Sequence, residues 1–279
     1  MNELLKRREE YLRRKMSHLL FEILEYPPKK ELLYIGLCYC QLSRIYNLDE
    51  IPISEIKNCL GKYLIDFDSY PWRDYLLELE FFYMREGENT FVKGAGLVVY
   101  TPSEEATVSI DPRYGFLKNS FCQKVYRYWY ISQKWDRFRK PNDGWEVIEN
   151  AVRLFNEGLY EEASLYLDDY LPYIKSSREL ITYRVIKKLS TLAFLLDREK
   201  REEALEEIKS LKEFLKEFNK ELSDLPFDFG KLSKELKKLG KSLKGGKKVY
   251  LPPIRLERKR KRSFWRRFLN FFRDLPIFR

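Results

Sequence analysis

Histidine, methionine and glutamine are scarce in this chain, with one His, three Met and three Gln in 279 residues. The single histidine, His18, sits in a charged N-terminal stretch, so any Ser-His-Asp or Cys-His nucleophile would have to pass through it. No phosphate-binding loop is present either. Gly94-Ala95-Gly96 lacks the Lys-Ser/Thr pair that completes such a loop, and Gly245-Gly246-Lys247-Lys248 reads as a turn. Apolar runs near 18 residues are missing, and the start MNELLKRREE has no signal-peptide core, so a cytoplasmic location is expected.

Cysteine is also sparse. Cys38, Cys40, Cys59 and Cys122 do not suggest a disulfide framework in a chain of this length without a secretion signal, and Cys38-x-Cys40 in an apolar helical pattern is poor zinc spacing. They are expected to be buried small hydrophobes. Asp66-Phe67-Asp68, with Asp74, is the one carboxylate group that suggests magnesium. Asp before Tyr70-Pro71 is also the usual residue of a turn or helix cap, and we take that reading. No metal, cofactor or catalytic residue is assigned, and the protein is expected not to be an enzyme.

What is abundant is charge. Lys and Glu are plentiful while Met and Gln are few, a bias that fits a thermophile. The formal net charge of +10 is unevenly spread: residues 231–279 hold 18 Lys/Arg against 3 Asp/Glu, leaving 35 against 40 for residues 1–230. A mildly acidic body with a strongly cationic tail points to a polyanionic partner.

Periodicity predicts a mainly α protein with a small antiparallel β element. Helices are expected over 2–25, ended by Pro27-Pro28, over 30–46, after Ser54 as N-cap, and from Pro71. Strands are expected at 81–84, 90–93 and 96–100. This order of helix, short strand, helix, helix and wing resembles a winged helix-turn-helix over about residues 30–101. Its third helix would be Trp72-Arg73-Asp74-Tyr75-Leu76-Leu77-Glu78-Leu79-Glu80, whose acids repel phosphate, so the resemblance implies a protein-facing surface there.

Further on, Trp145, Ile148, Val152 and Phe155 are spaced 3, 4, 3, as are Tyr160, Ala163, Leu167 and Tyr170. A second helical hairpin follows through Val185, Leu189 and Leu192, then Ala204, Ile208, Leu211 and Leu215. Glu-Glu-Ala recurs at 161–163 and 202–204. These hairpins resemble tetratricopeptide-type repeats over about residues 145–218, although their period exceeds the usual one; the resemblance implies a binding scaffold. A Lys-rich helix over 231–243 and an extended connector over 249–254 follow. The domains expected are 1–115, 116–224 and 225–279.

Two basic elements are the candidate nucleic-acid contacts. Residues 118–140 hold seven Lys/Arg and one acid, Asp136; Lys124, Arg127, Lys134 and Arg137 form one helical face, bordered by Tyr126 and Tyr130. In the tail, Arg258, Lys259, Arg260, Lys261 and Arg262 precede an amphipathic helix. Its aromatic face carries Phe264, Trp265, Phe268, Phe272, Leu275 and Phe278, a surface for a protein groove or a lipid interface. Asp274-Leu275-Pro276-Ile277-Phe278 resembles the bacterial sliding-clamp-binding peptide, which implies a clamp as that partner. The expected function is a nucleic-acid-associated adaptor for DNA or RNA; the alternative is a peripheral membrane adaptor on an anionic surface.

Overall fold

Leu12, Met16, Leu19, Leu20, Ile23 and Leu24 recur at helical spacing and are all buried, which makes α1 (Glu3–Glu25) an amphipathic helix. It stops where Pro27 removes a donor and bars the helical conformation from Tyr26, which adopts φ −130° and ψ 85°. A computed structural model describes residues 3–67, 82–86, 89–91, 103, 105–134, 138, 140–218 and 229–256. The expected third helix of the winged layout and the strand at 96–100 lie outside them.

The chain divides into two units, Met1–Lys140 and Pro141–Arg279. The first unit ends at Lys140, and the described residues 229–256 fall in the second. Residues 118–134 stay with the first because they pack on α2. In that unit α2 (Glu31–Tyr46) is central, with Leu33, Leu37, Tyr39 and Leu42 buried around it. It closes on Asn47 in the left-handed region, φ 53°. Strands β1 (Glu50–Pro52), β2 (Phe82–Glu86), β3 (Asn89–Phe91) and β4 (Thr107–Ile110) form an antiparallel sheet in the order β1-β4-β2-β3. Ile51, Val108 and Met84 register across it as one buried row. Strand β4 was not expected; its four residues carry no turn signal and include the buried Ser109.

Between β1 and β2 lies α3 (Ile53–Gly61). It begins without a side-chain cap, and Ser54 is not its N-cap: the Ile53 amide donates to the Ala106 carbonyl at 2.8 Å, so the adjoining strand region satisfies a donor that a cap would otherwise take. Helix α4 (Lys118–Lys134) follows a 3-10 turn, Pro112–Leu117, capped by Asp111. Phe82 of β2 makes edge contacts with Tyr39 of α2 and Phe121 of α4, at 5.0 and 5.2 Å between ring centroids. Gly36 lets α2 and α4 approach closely, since a Cβ there would meet Val125 at 3.3 Å.

The cysteines correct the expectation. Cys38 is bonded to Cys59 and Cys40 to Cys122, with Cα–Cα separations of 5.8 and 5.6 Å. Two residues apart on a helix, the thiols of Cys38 and Cys40 point about 160° apart. One therefore reaches α3 and the other α4, the same divergence that makes them poor ligands of one metal.

In the second unit the helical hairpins form where the stripes place them: α5 (Gly144–Asn156), α6 (Tyr160–Asp169), α7 (Ser177–Asp197) and α8 (Arg201–Glu217). Asp143 caps α5 by accepting from the Glu146 amide, and Ser176 with Glu179 forms a capping box on α7. Each helix packs on the next, and α5 also packs on α7. The two turns match bond for bond: Leu159 N to Leu154 O and Lys200 N to Leu195 O, both 2.9 Å, are 41 residues apart. Helix α9 (Phe229–Lys244) covers α8 with Leu236, Leu239 and Leu243. Beyond it, Asn156 bonds both backbone groups of Ile254, at 2.7 and 2.9 Å, tying the connector to the end of α5.

Candidate nucleic-acid interface

Helix α4, KNSFCQKVYRYWYISQK, contains no acidic residue. Phe121, Val125, Tyr128 and Ile131 are its buried arc, as the spacing of the first three predicts. The opposite arc exposes Gln123, Arg127, Tyr130, Gln133 and Lys134. The Lys134 ammonium lies 4.9 Å from the centroid of the Tyr130 ring, which is 52% exposed.

Of the four cations expected on one face, Arg127 and Lys134 share this arc. Lys124 is half-buried and lines a shallow groove with Leu12, Arg13 and Met16, at the seam where α1 meets α4. The seam was not legible in α4 alone, because it is made by a helix about a hundred residues earlier. Arg137 lies outside the described residues, as do Arg258, Lys259, Arg260, Lys261 and Arg262 and the aromatic face of Phe264, Trp265, Phe268, Phe272, Leu275 and Phe278.

Side chains from other elements extend the arc. Tyr34 of α2 and Tyr63, just past α3, pair with ring centroids 4.5 Å apart at 39°. Their hydroxyls accept from glutamines: Gln41 Nε2 donates to Tyr63 Oη at 3.3 Å and Gln133 Nε2 of α4 to Tyr34 Oη at 3.5 Å. Tyr126 of α4 sits within electrostatic reach of Tyr63 and of Arg44 on α2. Burial raises the Tyr126 hydroxyl pKa, and the Arg44 guanidinium pulls against that rise. Tyr34, Gln41, Arg44 and Tyr63 were missed from sequence, since only the α2–α3 and α2–α4 packing brings them beside α4.

The remaining titratable groups place less chemistry together. His18 is exposed on α1, its ring edge-on to Phe21 at 6.0 Å. Asp66 is exposed, and Asp68 and Asp74 lie outside the described residues, among which no group of three His, Cys, Asp or Glu is placed to hold a metal. Among the described residues no helix is long and apolar enough to cross a membrane. In the second unit a cavity of about 240 Å³ opens between the ends of α7 and α9. Its cations serve the helix ends: Arg201 donates to the Lys244 carbonyl, and Lys248 pairs with Glu199 at 3.0 Å.

No family model and no solved structure matches the chain. It is similar to an uncharacterized protein of Aquifex aeolicus (strain VF5), 28% identical over 152 residues, which make up 54% of this chain and 49% of that protein. The match thus spans about half the length of that relative.

Proposed function

We propose that the protein is a non-enzymatic adaptor that associates with nucleic acid through its first unit and its basic tail. The observation that carries this reading is the exposed arc of α4, where Arg127 and Lys134 stand beside Tyr130 on a helix without a single acid in a body that is otherwise net acidic. Exposed cations attract phosphate, and each phosphate neutralised releases counterions. The block 258–262 adds charge of the same kind. The hairpins of the second unit supply helix faces of the sort that tetratricopeptide-like scaffolds use for protein partners. The aromatic segment 264–278, with its likeness to the clamp-binding peptide, is the proposed protein anchor.

Changing Arg127 and Lys134 together to Glu tests the reading. Nucleic-acid binding should weaken equally for all base sequences, and the log–log salt slope should flatten by about 1.8, at about 0.9 per phosphate contact. An unchanged slope overturns the role of α4. Anionic vesicles serve as the second probe: strong vesicle binding with no nucleic-acid binding would make the protein a membrane adaptor instead.

A further inference from the structure

We infer that the surface shared by α2, α4 and the end of α3 is a platform for single-stranded nucleic acid, with unpaired bases stacked on Tyr34, Tyr63 and Tyr130 and the backbone held by Arg44, Arg127 and Lys134. The inference rests on the nucleic-acid reading above and goes further by naming the strand state and the groups that recognise it.

Three features select a single strand. Cations alone would take duplex and single strand alike, but a stacking platform needs base faces, which a duplex hides within its own stack. Here the rings are half-exposed or exposed, and each belongs to a different segment: Tyr34 to α2, Tyr63 to the turn after α3, Tyr130 to α4. Their arrangement is also held in place. Gln41 and Gln133 bond the two hydroxyls of the Tyr34–Tyr63 pair, fixing the rings by their edges. The third feature is Leu64, next to Tyr63. It is 96% exposed and adopts φ 61°, a conformation that favours glycine. Neither burial nor backbone preference selects a leucine there, whereas a surface that meets flat apolar bases does. Arg44 and Arg127 are exposed on α2 and α4, and Lys134 borders Tyr130, so positive charge runs along the same surface as the rings.

The test measures the intact protein by fluorescence anisotropy against an oligothymidylate strand of about 16 nucleotides and a duplex of equal length. Wild type should favour the single strand at matched salt. Tyr34→Leu with Tyr63→Leu should weaken single-strand binding about tenfold with the salt slope unchanged, because stacking and not charge has been lost. Tyr34→Phe with Tyr63→Phe keeps the stacking faces but loses the glutamine bonds that fix them, and should weaken strand binding by much less than the Leu double variant. A wild-type photocrosslink to an iodouracil-substituted strand gives a readout free of folding effects, and the adducts should map to Tyr34, Tyr63 or Tyr130. Equal binding by the Leu double variant and wild type, or adducts confined to other segments, overturns the platform. Equal affinity for strand and duplex, sensitive to Arg127→Glu but not to Tyr→Leu, overturns it while leaving the adaptor reading intact. Absence of binding to either probe overturns both.

Discussion

Gly158 and Glu199 occupy the same place in two successive hairpin turns, 41 residues apart, each with a left-handed backbone at φ 77° and 57°. Matching bonds surround them: Gly158 N to Phe155 O at 2.9 Å and Glu199 N to Leu196 O at 3.1 Å. One turn carries the residue suited to that conformation and the other does not. Left-handed backbone costs a residue with a Cβ about 1–2 kcal/mol, and the added freedom of unfolded glycine takes back about 0.5–1 kcal/mol. The exposed Glu199–Lys248 pair contributes little to set against the difference. Glu199→Gly should therefore raise the urea midpoint, by about 0.5–1 kcal/mol in stability, and Gly158→Ala should lower it.

The two cystines should show themselves chemically before they show themselves energetically. Under non-reducing denaturing conditions, thiol titration should find none of the four cysteines free. Changing Cys40 and Cys122 together to Ser should cost about 2–4 kcal/mol in denaturant unfolding, since the loop it releases spans 82 residues. The two thiols that appear on titration would be those of Cys38 and Cys59 only after added reductant.

Acid stability should depend on Asp111. Its carboxylate accepts from the Arg113 amide at 2.9 Å and from the Arg113 guanidinium at 3.0 Å, which holds its pKa below the usual carboxylate value against the opposing effect of burial. A depressed folded pKa means that the contribution is fully present above the ordinary value of about 3.9 and is lost as pH falls through the lower, folded one. Asp111→Asn should lower the urea midpoint at neutral pH. The difference from wild type should then shrink as pH falls below about 4.

How much was legible in the sequence divides along sequence separation. The hairpins of 144–217 were legible because their stripes and turns are local: Ile148, Val152 and Phe155, and later Ala204, Ile208, Leu211 and Leu215, bury as spaced. The inner arc of α4 was legible for the same reason. Hidden were the features that need two distant segments. The Cys40–Cys122 bond, the Ala106 carbonyl that opens α3 in place of a Ser54 cap, the α1 seam that takes Lys124 and the Tyr34–Tyr63 pair all depend on tertiary approach. Cysteine misled most directly: compartment was inferred from the start of the chain, while divergence on the helix, which decides pairing, follows from two residues' spacing once neighbours are known.

Cys40–Cys122 also sets how the chain would bear a load. Pulled from its two ends, the polypeptide transmits tension across that bond and bypasses the 82 residues of sequence separation it spans. The fully stretched oxidised chain should fall short of the reduced one by roughly 280 Å, at about 3.3–3.6 Å per residue. The sheet and α3 lie inside the bypassed segment, so under oxidising conditions they would be sheltered from force, while α1, most of α4 and the helical hairpins would extend.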